Sequence, residues 1–259
     1  MGISRGAQMR IGCVAGLVLG LLSTPAAAEE GWQFNLAPYL WGAGIDGRVA
    51  HAALPNDVSV DMPFSDIWKN LDIGAMVAFE ARKGRTGLLL DGLYVKTSND
   101  ATIPQLGLPV SLGATTFTGL VAGQYRVVDD GVGSLDLLAG VRYWSVDARI
   151  GYDLPSVVPL PPGVPHVYDH SEGAQWVDGM AGAKAVVHLS PRITVNAHGM
   201  LGAGGSRFSS DALLAFGFGL GPSMSLLVGY RHLDTDYRDG AFRLATRLHG
   251  PAAGMSIRF

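Results

Sequence analysis

Apolar side chains occur at every second residue through most of the chain, which is the pattern of β-strands with one apolar and one polar face. In the C-terminal segment the apolar alternate residues are Ala253, Met255, Ile257 and Phe259. The pattern predicts an all-β chain of about ten strands, within a range of about eight to twelve. The predicted strands lie within residues 32–49, 72–81, 88–94, 118–127, 135–144, 177–188, 193–201, 214–220, 224–231 and 244–259.

The predicted connections alternate in length along the chain. Tight turns rich in Gly, Pro or Asp are predicted at 83–85, 129–133, 190–192 and 221–223. Longer polar connections are predicted at 51–71, 99–110 and 155–172, a short polar link at 206–211 and a further link at 234–240. Short turns at one end, long loops at the other and an even strand number favour a closed antiparallel transmembrane β-barrel over a soluble sandwich.

Two local irregularities accompany the strand pattern. Residues 64–71 have the spacing of a short amphipathic helix, which could lie outside the barrel or fold into its mouth as a plug. In the closing strand, Leu244 and Leu248 are out of phase with Ala253. We therefore predict a β-bulge at Gly250-Pro251, because a bulge shifts the exposed face and tolerates proline.

The first 28 residues have the features of a cleaved secretory signal peptide. Arg5 and Arg10 precede an apolar run from residue 11 to residue 22, and Ala26-Ala27-Ala28 forms a small-residue cleavage site. The chain is thus predicted to consist of a signal peptide, 1–28, and one barrel domain, 29–259. Because Cys13 is the only cysteine, the mature domain has no thiol for disulfides or metal binding.

The charge content excludes nucleic-acid binding and bears on which face meets lipid. Removing Arg5 and Arg10 from the 19 basic residues leaves 17 against 22 acidic ones, a net charge of −5. Charged residues make up 16% of the chain, which is low compared with about 25% in an average soluble domain. The less apolar strand faces are mostly Gly, Ala, Ser and Thr with about one charge per strand, too few for a surface in water. These faces are therefore predicted to line a narrow lumen, and the apolar faces to contact lipid.

This orientation assigns a position to two sets of residues. The predicted lumen charges, counting histidine, are Glu80, Asp91, Arg126, Arg142, Asp178, Lys184, His198 and Arg231. The aromatic residues predicted to form girdles at the two membrane interfaces are Phe79, Tyr94, Tyr125, Tyr143 and Tyr230.

Several segments resemble one family of membrane proteins. They are Gly254-x-x-Ile257-x-Phe259 at the C-terminus, Pro38-Tyr39-Leu40-Trp41, Gly140-x-Arg142-Tyr143 and Gly229-Tyr230-Arg231. Together they resemble the small Gram-negative outer-membrane β-barrels of the outer membrane protein A and opacity-protein type. The resemblance implies an outer-membrane location among lipid and lipopolysaccharide, a monomeric state, and assembly by periplasmic chaperones and the barrel-assembly machinery. It also implies that Gly254, Ile257 and Phe259 form the signal that this machinery recognises, but it implies no single activity.

Two hypotheses for the lumen follow from its sparse charges. In the first, Glu80 or Asp91 pairs with Arg126 and Asp178 pairs with Lys184, so that the lumen is plugged and the barrel is a scaffold for its surface loops. In the second, the charges line a narrow, porin-like solute channel. We favour the first, because about ten strands leave little room for water. A surface adhesin or recognition protein acting through the long loops is a third hypothesis.

An outer-membrane hydrolase is the least favoured interpretation. His188-Leu189-Ser190 resembles the His-x-Ser of lipid A deacylases, but it lies at a short turn. Acidic and histidine residues near the loops, Asp147, Asp153, His166, Asp169, His170, Asp234 and Asp236, show no activating spacing. His166-x-x-x-His170 is a weak metal-binding pattern because it lies in a Pro-rich loop. The sequence therefore predicts no catalytic residue, no metal and no cofactor.

Overall fold

The computed structural model describes residues 31–50, 58–103, 108–153, 165–239 and 242–259. The predicted signal peptide and its cleavage site lie outside these residues and stay a prediction. The strands are β1 Trp32–Trp41, β2 Gly44–Ala50, β3 Val58–Met62, β4 Leu71–Lys83, β5 Thr86–Ile103, β6 Leu108–Asp129, β7 Gly133–Asp153, β8 Val167–Ser190, β9 Ile193–Gly204, β10 Ser206–Gly219, β11 Met224–Asp239 and β12 Phe242–Arg258. One helix, α1 Phe64–Lys69, lies between β3 and β4.

The strands form one closed antiparallel barrel, as the sequence predicts. Each strand from β4 to β12 pairs with the next, and β1 pairs with both β4 and β12 to close the sheet. Strands β1 and β2 lie end to end along β12, and together they occupy one position in the wall. Strands β3 and β4 likewise share the next position, since β3 pairs with β2 and β4 pairs with β1. The twelve strands therefore form a wall of ten positions. Following the pairing register once around the wall from Asn35 returns to the first strand at Gly47. Such a stagger is what tilted strands in a closed barrel require.

The predicted bulge at Gly250-Pro251 is wrong. The register between β11 and β12 runs without a shift through Pro251, and β1 and β2 pair with β12 in one common register. Pro251 accepts a hydrogen bond from the Gly42 N–H at 2.8 Å, but it has no N–H to donate in return. The missing donor accounts for the break between β1 and β2.

Helix α1 lies against the outer wall of the barrel. Trp41 is buried inside, and the unbroken register turns the next residue, Gly42, outward. The Phe64 ring comes within 3.4 Å of the position that a Gly42 Cβ would occupy. Of the two predicted positions for this segment, the structure therefore supports the one outside the barrel and not the plug.

The four tight turns are confirmed, but most of the predicted long connections are shorter than expected. Strands β5 and β6 extend into 99–110, and β8 begins at Val167 within 155–172. The predicted links at 206–211 and 234–240 are wrong, since β10 begins at Ser206 and β11 continues to Asp239. At the end of β11, Leu233 and Tyr237 are buried inside while Asp234, Asp236 and Arg238 lie on the outer face, the reverse of the membrane-embedded pattern.

Large apolar side chains cover the outer wall of the barrel. Those facing outward with much of their surface exposed include Leu40, Val77, Val121, Val141, Leu201, Leu214, Phe216, Phe218 and Val228. A monomeric soluble protein rarely exposes such a continuous apolar surface, whereas a barrel in a bilayer requires it. Within the described residues, no helix has the length and apolarity needed to cross a bilayer.

Candidate functional site: the lumen

Buried ion pairs cross the middle of the lumen around Asp211. The Arg231 guanidinium donates to both Asp211 oxygens, at 3.0 and 2.8 Å. Arg142 Nη2 also donates to Asp211, and His198 Nε2 lies 3.3 Å from it. These side chains come from β7, β9, β10 and β11, so that one carboxylate joins four strands of the wall.

The same arginine joins Asp211 to the opposite side of the barrel. Arg231 Nη2 donates to Asp91 Oδ1 at 2.7 Å, and Arg231 Nη1 donates to the Tyr39 hydroxyl oxygen at 2.6 Å. The Tyr39 hydroxyl in turn donates to Asp91 Oδ2 at 2.9 Å. Tyr39, Asp91, Arg142, Asp211 and Arg231 are called the Asp211 cluster below. It spans the lumen from β1 and β5 to β7, β10 and β11.

A second group of ion pairs lies nearer the short turns. Arg82 donates to Glu80 at 3.1 Å and to Asp136 at 2.7 Å. Arg126 donates to Asp136 at 3.0 Å, and Lys184 pairs with Glu80. These five residues are called the Glu80 cluster. Each of its charges has an opposite partner, as charges in a narrow lumen require.

Apolar side chains close the lumen on the loop side of the Asp211 cluster. This apolar layer consists of Trp41, Leu93, Trp144, Trp176, Leu233 and Tyr237, all buried. Four of its members stand two residues beyond a member of the cluster on the same strand, as Trp144 does beyond Arg142 and Leu233 beyond Arg231. Trp176 stacks on Trp144 and Tyr237, with ring centroids 5.6 and 4.3 Å apart. The Arg231 guanidinium lies 5.4 Å from the Trp41 ring, a cation–π contact that joins cluster and layer.

A cavity of about 1000 Å³ occupies the lumen on the short-turn side. Its lining begins at Arg258 and Phe259 at the mouth and reaches as far as Asp211 and Arg231. The lumen is therefore an open vestibule at the short-turn end and is filled by side chains above it.

The predicted pairing of the lumen charges is wrong in each case. Glu80 pairs with Lys184 and Arg82, Asp91 pairs with Arg231, and Arg126 pairs with Asp136. Asp178 forms no ion pair among the described residues, and it accepts hydrogen bonds from Trp176 Nε1 at 3.2 Å and the Ser206 N–H at 2.8 Å. The Glu80–Lys184 and Asp91–Arg231 pairs reach across the lumen, which the order of strands along the chain does not reveal, whereas Arg126 and Asp136 face each other on neighbouring strands.

Four members of the Asp211 and Glu80 clusters are absent from the predicted lumen charges: Tyr39, Arg82, Asp136 and Asp211. The sequence pattern places Asp211 in a link, because 206–211 is a polar stretch without apolar alternation. Arg82 and Asp136 lie next to predicted turns, where a charge is expected to be solvated. Their strand parity was the available signal, since Arg82 shares a face with Glu80 and Asp136 shares one with Arg142.

The C-terminal residues join the barrel closure to the Asp211 cluster. Phe259 and Phe34 exchange two backbone hydrogen bonds of 3.1 Å, and their rings stack with centroids 5.7 Å apart. Ile257 pairs with Leu36 and Met224. Gly254 faces Tyr39, and a Cβ at this glycine would lie 2.6 Å from the Tyr39 Cβ. The absence of a side chain at Gly254 therefore leaves the space in which Tyr39 reaches Asp91.

The predicted girdle residues all project from the outer wall, on the strand face opposite to the lumen. Phe79 stacks on Phe34, with centroids 6.1 Å apart, and Tyr125 lies beside the turn after β4. Tyr94, Tyr143 and Tyr230 lie further along their strands towards the loops. Whether these rings contact lipid headgroups stays a prediction.

The residues considered for catalysis are dispersed. His188 and Ser190 lie at the short-turn end of β8. Asp169 pairs with Arg149, and Asp234 with Arg247 at 3.4 Å. On the outer wall His249 joins Tyr230 and Asp46 through hydrogen bonds of 2.7 Å each, which the sequence did not reveal. That the protein is not an enzyme stays a prediction.

The closed barrel, its apolar outer wall and its polar, ion-paired lumen define an outer-membrane β-barrel protein. No protein-family model and no curated protein matches the chain. Similar solved structures include the outer membrane protease OmpT from Escherichia coli, with 9% identity and a TM-score of 0.49 over 89% of this chain and 97% of that chain.

Two further solved structures are also similar. The translocator domain of the autotransporter NalP from Neisseria meningitidis is 12% identical, with a TM-score of 0.44 over 90% of each chain. Ail, the attachment invasion locus protein of Yersinia pestis, is 11% identical, with a TM-score of 0.35 over 89% of this chain and 99% of that chain. These identities and TM-scores are too low to support an inference about activity.

Proposed function

We propose that the protein is a non-conducting barrel that anchors a recognition surface in the outer membrane. The observation that supports a closed lumen is the direct contact between the Asp211 cluster and the apolar layer across the full width of the barrel. A hydrated ion passing this level would have to displace Arg231 from two carboxylates and separate stacked Trp rings. Breaking a buried charge pair is costly by itself, and the apolar layer offers the ion no replacement for its hydration shell.

The test is conductance in planar bilayers. The wild type is expected to insert, as checked by the shift in gel mobility between unheated and boiled samples, and to give no stable conductance steps. Arg231→Met is the matched variant, because it removes the cation that joins Asp91 to Asp211. Stable steps in the wild type whose size changes in Arg231→Met would favour the channel hypothesis instead.

The surface that supports recognition is a projecting sheet at the loop end of the barrel. Strands β6, β7 and β8 have 22, 21 and 24 residues, whereas β9 and β10 have 12 and 14. A tilted strand needs only about 9–11 residues to cross the bilayer. The excess residues of β5 to β8 therefore form a sheet beyond the membrane, at the end of the barrel that in bacterial outer-membrane proteins faces the exterior.

A further inference from the structure

One edge of β8 lacks a partner strand in the projecting sheet. On one side, β8 pairs with β7 from Val167 to Val187. On the other side, it pairs with β9 only from Asp178 onward. The part of the chain that the structure describes places no strand beside residues 167–176 on this second side, which is called the free edge below.

The end of the β9–β10 hairpin explains why the pairing stops at Asp178. The hairpin turns at Gly204 and Gly205, where the Gly205 N–H donates to the Val177 carbonyl at 2.8 Å. A Cβ at Gly205 would lie 2.5 Å from the Trp176 Cβ, so the turn packs directly on that side chain. The Asp178 carboxylate caps the turn by accepting from the Ser206 N–H. The barrel wall on this side of β8 therefore ends at the turn. The space beyond the turn, beside residues 167–176, is called the notch below.

The contact at Val177 also fixes which backbone groups point into the notch. In a strand, N–H and C=O groups of successive residues point to opposite edges. Because the Val177 carbonyl points towards the hairpin, the odd-numbered residues before it point the same way. Those residues are Val167, Asp169, Ser171, Gly173 and Gln175. Their backbone donors and acceptors repeat every second residue, a spacing that only another extended backbone matches.

The free edge lacks three of the usual protections against strand addition, although Asp169 and Glu172 give it charge. Exposed edges are commonly interrupted by proline, by a bulge or by lysine. Residues 167–176 contain no proline and no lysine, and the register with β7 continues through them without a shift. The side chains of residues 167–175 are exposed or half-buried, whereas Trp176 is buried.

The charges beside the free edge indicate the chemistry of a partner. Asp147 and Glu172, on opposite faces of the sheet, form no ion pair among the described residues, whereas Arg149 is already paired with Asp169. In an added strand, basic side chains on one face would approach Asp147 and those on the other face would approach Glu172.

We propose that the free edge binds an extended, basic segment of another protein by strand addition. The proposal rests on the recognition part of the proposed function and is independent of the closed lumen. A segment bound in this way continues the sheet of β5 to β8 by one strand. Its backbone supplies the hydrogen bonds, and its Lys or Arg side chains approach Asp147 and Glu172.

Hydrogen exchange of single amides tests the edge without any ligand. In the folded protein in detergent micelles, the amides of residues 169, 171 and 173 are expected to exchange fast, while those of 170, 172 and 174, bonded to β7, exchange slowly. Equal protection of both sets would show that the edge is already occupied and would overturn the proposal.

Peptide binding tests the partner chemistry. The probe is a synthetic peptide of repeated Lys-Lys-Val-Val, about ten residues long, so that both faces of the added strand carry Lys. It is compared with a twin in which alternate amides are N-methylated. We expect saturable binding of the first and at least about tenfold weaker binding of the twin, which keeps the charges but lacks the donors. Equal binding of both peptides would indicate charge attraction alone, and no binding of either would equally overturn the proposal.

Two substitutions at one residue provide the matched controls. Ser171→Pro removes an N–H that points into the notch without removing a bond to β7, and it is expected to weaken peptide binding at least about tenfold. Ser171→Ala should leave binding unchanged. The gel-mobility shift on boiling verifies that both variants form the barrel. Conductance is not involved, so failure here and failure of the closed-lumen proposal are distinguishable.

Discussion

Strand β7 carries two arginines, Arg142 and Arg149, and each pairs with an aspartate in a different environment. Arg142 pairs with Asp211 in the lumen, where both side chains are 0% exposed. Arg149 pairs with Asp169 on the outer face of the projecting sheet, where they are 66% and 50% exposed. The same strand therefore carries one Arg–Asp pair that is buried away from water and a second Arg–Asp pair that is exposed to water.

The difference shows what each pair is able to do. An exposed pair gains little, because water already solvates both charges and salt screens them. A buried pair gains no more than it loses by desolvation, but neither partner tolerates the loss of the other. The Asp211 cluster therefore imposes a geometry on the lumen more than it stabilises the fold, whereas the Arg149–Asp169 pair imposes little.

Asp211→Asn should have the largest effect on stability. The substitution keeps the size of the side chain but removes the one ion-pair partner that Arg142 has among the described residues and leaves Arg231 paired with Asp91 alone. We expect a loss of about 3–5 kcal/mol in the free energy of unfolding, measured by urea denaturation in lipid vesicles. A loss below about 1 kcal/mol would mean that water reaches the cluster and that the lumen is not closed there.

Leu233→Ala should have the next largest effect. Leu233 is the cross-strand neighbour of Asp211 and belongs to the apolar layer. Truncation leaves a cavity, with an expected loss of about 2–4 kcal/mol, whereas Leu233→Met should cost less than about 1.5 kcal/mol. The double variant with Asp211→Asn should lose less than the sum of the single losses, because both changes admit water to the same arginines. Additive losses would show that layer and cluster are independent.

The membrane-embedded half of the barrel was predictable from sequence because one rule governs it. Lipid outside demands apolar side chains at alternate positions, so strands, turns and the outward face follow from a period of two. The projecting half follows another rule, since its outer face is wetted. Asp234 and Asp236 therefore resembled a loop, although β11 continues through both residues.

The composition of the lumen was harder to predict than its existence. Which carboxylate meets which arginine depends on the stagger of the closed wall, which brings β5 and β11 together at Asp91 and Arg231. One local signal was available: a charged or hydroxyl residue followed two positions later by tryptophan, as in Tyr39-x-Trp41 and Arg142-x-Trp144. On the strand face that points into the lumen, the first residue of this pattern belongs to the Asp211 cluster and the tryptophan belongs to the apolar layer.

Asp169→Asn should have the smallest effect. Hydrogen bonds from Arg149 lower the pKa of Asp169, so the pair contributes above the unfolded carboxyl pKa of about 3.9, and the contribution disappears as pH falls through the lower folded value. We expect a small decrease in the thermal midpoint near pH 7, a progressively smaller one as the pH falls below about 3.9, and a smaller decrease in high salt. Thermal unfolding followed by circular dichroism measures all three. A decrease as large as that of Asp211→Asn would show that exposure does not separate the two pairs.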